Sequence, residues 1–133
     1  MTGQETPDTS ADAAIALAHR LLDAAREGDG ATLGRYLDAG VPATLTNAAG
    51  DSLVMLAAYN GHASVVADLL ARGADPEAAN DRGQTPLAGA VFKGYTDVVK
   101  VLLDAGADPD AGTPSARDAA GMFGRPDLLE LFA

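Results

Sequence analysis

The amino-acid sequence predicts an all-α protein, an α-solenoid of about four stacked helix-turn-helix repeats with short β-hairpin or loop fingers between them. Three observations carry this reading. Asn80–Asp110 lies over the segment 33 positions earlier, with Gly50 on Gly83, Gly61 on Gly94, Gly73 on Gly106, Asp75 on Asp108 and Pro76 on Pro109. The apolar residues keep the same register, Val65-Val66 on Val98-Val99 and Leu69-Leu70 on Leu102-Leu103. A repeat of this length is one supersecondary unit that cannot bury its apolar face alone, so it must stack on its neighbours.

Taken in order, Met1–Ser10 is polar, contains Pro7 and shows no periodicity, which predicts a disordered tail. From Ala11 the pattern is helical, with Ser10 as N-cap, Asp12 in the first turn and Ile15, Leu17, Leu21 and Leu22 supplying apolar faces, until Gly28 ends the helix. The 33-residue offset sets Gly28 under Gly61, Leu33 under Val66 and Gly40 under Gly73, so residues 11–46 form a divergent first repeat. The second, residues 47–79, opens on a turn at Asn47–Gly50. Ser52 is placed to cap a helix over Leu53–Asn60, Gly61 turns the chain, and a second helix follows over Ala63–Arg72. In the third, residues 80–111, Thr85 takes the capping place and Pro86 the first helical turn, where a missing N–H costs least. The register then shortens. Gly124 lies 30 residues after Gly94, which makes residues 112–133 a truncated terminal repeat with Ser115 in the place of Thr85. Ala57-Ala58 and Gly89-Ala90 are small where helices of neighbouring units are expected to pass closely, so bulky replacements there should overpack.

The 133 residues suit one repeat domain after the tail, over 11–133. The absence of cysteine removes disulfides, thiolate nucleophiles and zinc-finger sites. Seven arginines and two lysines face nineteen carboxylates, a net charge of −10 that repels phosphate backbones and anionic membranes, so neither nucleic acid nor membrane is an expected partner. No basic stretch leads into an apolar one at the N-terminus, and no run approaches the ~18 apolar residues of a membrane span, which suggests a cytoplasmic protein. A catalytic reading needs a nucleophile with its base, a metal cluster or a phosphate loop, and none appears. His62 reads as structural, because Asp29, Tyr95 and Arg125 occupy its equivalents, and His19 reads as structural because it lies near the first helix's capping position in the repeat alignment. Asp75 and Asp108 read as turn formers just past a helix-ending glycine. No cofactor or metal is expected.

The wording within the unit, Gly83-Gln84-Thr85-Pro86-Leu87, then V-V-x-x-L-L and G-A-D-P, resembles the ankyrin repeat, strongly over Asn47–Ala111 and more loosely on either side. The Ala-, Gly-, Asp- and Arg-rich, Lys-poor composition looks like that of a small bacterial member from a high-GC genome. The resemblance implies a non-catalytic protein-binding module whose partner, unidentified from the sequence, is engaged by finger tips and by the exposed ends of the first helices along a concave groove. Carried over by position, the groove residues are Arg26, Glu27, Tyr59, Asn60, Phe92, Lys93, Met122 and Phe123. The tip residues are Leu45, Ala48, Ala49, Asp81, Arg82 and Gln84. Three of the six aromatics fall on the groove positions, joined by Met122. They serve either as a contact stripe, since aromatics and Met are enriched at interface cores, or as flat cover over the core. The family's T-P-L-H histidine is absent, with Met55 and Ala88 in its place. A monomer is expected. The alternatives are a self-associating module, a homodimer through an apolar C-terminal end of Leu128, Leu129, Leu131 and Phe132, and a small-molecule site in the groove using Asn60 and Lys93.

Overall fold

A computed structural model describes residues 9–133. The expected tail falls outside the described residues except at Thr9 and Ser10, where a helix already runs, so Ser10 lies inside that helix instead of capping it. Eight helices follow one another among the described residues: α1 (Thr9–Glu27), α2 (Gly30–Asp38), α3 (Leu53–Tyr59), α4 (Ala63–Ala71), α5 (Pro86–Lys93), α6 (Thr96–Asp104), α7 (Ala116–Met122) and α8 (Pro126–Leu131). They pair as α1·α2, α3·α4, α5·α6 and α7·α8. The first helices stack in the order α1, α3, α5, α7, and α2, α4 and α6 stack in a second layer behind them.

The caps explain where the short helices begin. Ser52, Thr85 and Ser115 each accept, through the side-chain oxygen, the amide of the residue three positions on, at 3.0, 3.1 and 3.1 Å. Each satisfies one of the amide donors that a first helical turn leaves without a partner, worth about 1 kcal/mol. Pro86 stands at the start of α5, where it removes a donor that needs no partner.

The second helices begin differently. Asp29 caps α2 by accepting the Thr32 amide and hydroxyl, bonds that hold its carboxyl below the ordinary value. His62, Tyr95 and Arg125 occupy the same position in α4, α6 and α8 but make no capping bond. Each lies instead over the inter-helix glycine of the preceding unit. A Cβ added at Gly28 would come within 2.6 Å of the His62 ring, one at Gly61 within 3.1 Å of Tyr95, and one at Gly94 within 3.1 Å of Arg125. These glycines also have φ near +80°, so both backbone conformation and clearance demand the missing side chain. His62 Nε2 is also 2.9 Å from the Arg26 carbonyl. As the varied counterparts of His62 suggested, the position does not require an imidazole. The structure shows a shared demand for a long or planar side chain that three chemistries meet.

The fingers are loops held by asparagine. Asn47 Oδ1 accepts the Ala49 and Asp51 amides at 3.0 and 2.9 Å. Asn80 Oδ1 accepts the Arg82 and Gln84 amides, both at 3.0 Å. Successive fingers are tied by Asp81 N–H to the Ala49 carbonyl at 3.0 Å, and Thr113 N–H reaches the Gly83 carbonyl at 3.1 Å. The single bridge among the described residues is antiparallel, between Thr46 and Ser52, so no finger builds a strand.

One continuous core fills the space between the layers, with Leu21, Leu53, Leu87, Leu102 and Leu128 among its largest fully buried side chains. Ala57, Ala58 and Ala90 are wholly buried, as their expected close packing requires. Gly89 differs. The nearest atoms to an added Cβ are Tyr59 Cδ1 at 3.1 Å and Met55 Sδ at 3.5 Å, both side-chain atoms, so no neighbouring helix backbone excludes a side chain there. Among the described residues no helix is long and apolar enough to cross a membrane.

Candidate functional site

Because the first helices end one above another, residues that share a repeat position line up along the stack. Tyr59 closes α3, Lys93 closes α5 directly after Phe92, and Met122 closes α7 directly before Phe123. The large hydrophobics along this line remain accessible: Tyr59 at 40%, Phe92 at 56%, Met122 at 71% and Phe123 at 48%. Ile15 and Leu131 are the other exposed large hydrophobics among the described residues, which makes the line the main concentration of apolar surface. Neighbouring rungs touch. Phe92 and Phe123 meet edge to face with centroids 5.2 Å apart, and Lys93 Nζ sits 5.1 Å from the Tyr59 ring centre. These contacts orient the rings without hiding them.

In the first unit the line changes character. Arg26 and Glu27 are exposed, and Arg26 pairs with Asp23 on its own helix at 2.7 Å. Asn60 is exposed at the end of α3, where its amide donates to the Leu56 carbonyl at 2.7 Å, which leaves Lys93 as the freer of the two polar groups expected to meet a small molecule.

Among the finger residues Ala48, Ala49, Asp81 and Arg82 are exposed. Gln84 is half-buried and accepts from the Asn80 amide at 2.8 Å and from Arg82 at 3.3 Å. Leu45 corrects the sequence expectation. It packs against the core and helps line an apolar recess with Leu17, Leu21, Val41 and Pro42, because the chain turns back onto α1 before the first finger projects. A separate recess between α1 and that finger is lined by Ile15, His19 and Ala48 among others.

Between the first helices and the fingers runs a groove. At its centre is a cavity of about 70 Å³ bounded by Met55, Tyr59, Ala88, Gly89, Phe92 and Ala119, with Gln84 and Pro114 at its edge. Sequence reasoning did not find this cavity. Its signal was Gly89, which stands where the preceding unit has Leu56. Replacing Gly89 by alanine is expected to raise stability by about 0.5–1 kcal/mol, because glycine in a helix interior is the costlier residue. The Tyr59 ring, 40% exposed, is able to yield the few tenths of an ångström required. Thermal and urea unfolding of the two proteins check this.

Three further ion pairs join residues outside the aromatic line. Arg72 bonds Asp38 at 3.0 Å, Arg117 bonds Asp110 at 2.7 Å and Arg125 bonds Asp127 at 2.9 Å. In each pair the hydrogen bond from the guanidinium holds the aspartate below its ordinary range. Asp75 and Asp108 each accept the amide two residues on, at 2.8 and 2.9 Å, as turn-forming aspartates do. No group of three or more candidate ligands that could hold a metal ion occurs among the described residues. At the C-terminal end Leu128 and Phe132 are buried, Leu129 is half-buried and Leu131 is 36% exposed, so most of the apolar surface considered for self-association turns inward.

The family model described as ankyrin repeats (3 copies) matches residues 21–113, more than half of the chain. Among known proteins, an ankyrin repeat protein of Pseudomonas aeruginosa is 50% identical over 48 residues, covering 36% of this chain and 28% of that protein. The matched stretch is thus under a third of the relative's length.

Proposed function

The chain belongs to the ankyrin repeat family, whose members are generally protein-binding modules without catalysis, and from that premise we propose that it binds a partner protein along the groove between its first helices and its fingers. The observation that carries this reading is the exposure of Tyr59, Phe92, Met122 and Phe123 in one contiguous line. Left in water, that surface costs free energy that a partner recovers by covering it. Arg82 and Asp81 at the finger tip are the second-rank contacts, with Ala48 and Ala49 beside them. The reading takes the protein as a cytoplasmic monomer that acts on no substrate. The net charge of −10 supports a partner that is neither nucleic acid nor an anionic membrane.

The test is a comparison of wild type with a Tyr59→Ala/Phe92→Ala double variant in affinity capture from a lysate of the cells that encode the protein. Each aromatic anchor is expected to contribute about 2 kcal/mol to binding, or roughly 30-fold in Kd. The double variant should therefore lose its partner while keeping its helical circular dichroism and a cooperative melting transition, since neither side chain belongs to the buried core. Equal capture by the two proteins would show that the stripe only covers the core.

A further inference from the structure

Resting on the groove reading above, we propose that the occupant is a peptide segment of the partner in which an aliphatic side chain seats over Gly89 and an adjacent carboxylate meets Lys93 and Arg82. The aliphatic half follows from the cavity. Leu56 is buried in its own unit; at the equivalent Gly89 the missing side chain leaves a small recess beside Met55, Tyr59 and Phe92, with Tyr59 Cδ1 and Met55 Sδ already 3.1 and 3.5 Å from where a Cβ would stand. A volume of about 70 Å³ is roughly half of the ~150 Å³ that accepts a benzene ring, which suits a branched aliphatic end better than an aromatic ring.

The carboxylate half follows from the charges at the mouth. Of nine basic side chains, Arg26, Arg72, Arg117 and Arg125 pair with aspartates. Lys93 and Arg82 make no such pair among the described residues, although the chain carries nineteen carboxylates. Both border Tyr59: Lys93 lies over its ring, and Arg82 lines the recess between that ring and the finger, its guanidinium donating to Gln84 Oε1. Asp51, in the same recess, directs one oxygen to the Asn47 amide and the other to the Asn80 amide, so internal donors already engage it. Asp118, exposed on the first turn of α7, directly precedes Ala119 in the cavity wall and disfavours an acid on that side. An acidic residue of the partner therefore belongs at the Tyr59 side, which also sets the direction of the bound segment.

The experiment is selection of a phage-displayed library of random dodecapeptides on the full chain. It is followed by titration of the enriched peptide against wild type and against Phe92→Ala, Gly89→Ala and Arg82→Glu/Lys93→Glu variants. The expected result is enrichment of peptides that carry an aliphatic residue close to an Asp or Glu. Binding should weaken by about tenfold or more on Gly89→Ala, which stays folded, and on the charge-reversed variant. Changing the peptide's acid to lysine should restore binding to the charge-reversed protein. Enriched peptides that are lost on Phe92→Ala but lack an acid, or that prefer a basic residue, would overturn this proposal and leave the groove reading intact. Peptides indifferent to Phe92→Ala, or no enrichment at all, would overturn both.

Discussion

Replacement of Leu87 by alanine is expected to destabilise the protein by about 2–5 kcal/mol, the range for truncating a fully buried leucine. Leu87 is completely buried in α5, the helix that packs on α3, α6 and α7, so the cavity opens at the centre of the stack. In a repeat array stability is approximately a sum of unit terms and nearest-neighbour interfaces, and a central side chain supports two interfaces at once. Against a total of about 5–15 kcal/mol this is a large fraction. Urea unfolding followed by circular dichroism should show an earlier midpoint, with Leu131→Ala, in a 36% exposed residue, as a near-neutral comparison. A midpoint shift no larger than that of Leu131→Ala would contradict the placement of Leu87 in the core.

The second large effect is expected at Asn80, one of the few buried polar residues at 8% exposure. Its carbonyl oxygen holds the Arg82 and Gln84 amides, and its amide donates to Asp51 Oδ1 at 2.9 Å and Gln84 Oε1 at 2.8 Å. Alanine would leave those groups without partners, at a cost of about 2–3 kcal/mol. It would also sever the link that ties one finger to the next through Asp51. Hydrogen exchange provides the specific readout: the Arg82 and Gln84 amides should lose protection beyond what the fall in global stability accounts for. Asn47→Ala should cost less, since Asn47 is half-buried and its amide bond, to Asp51 Oδ2 at 3.1 Å, stays within its own finger.

Much of the fold was legible because its punctuation is local. Glycines at a fixed offset, a Ser or Thr ahead of α3, α5 and α7 and Pro86 at a helix start act through backbone conformation and donors within one turn, which a sequence displays directly. What stayed hidden depends on neighbours in the stack. Gly89 read as a close helix contact, because small residues usually mark one; only the surrounding side chains reveal a cavity there. Leu45 read as a finger tip because position alone does not show that the chain first folds back onto α1. Ile15 sits in an apolar pattern yet is 56% exposed on the long first helix. The stripe of Tyr59, Phe92, Met122 and Phe123 was legible as a register. Its accessibility was not, because exposure depends on how far each first helix extends beyond its neighbour.

The side chains of His62, Tyr95 and Arg125 all reach back to a glycine in the unit before their own, and none reaches forward. The contact between units is therefore head to tail. Each unit offers a bare seat on one side and brings a lid for its predecessor on the other. During synthesis a seat leaves the ribosome before the lid that closes it, so each newly made unit can complete the one already folded. Such a vectorial order suits a chain whose contacts run only between adjacent units.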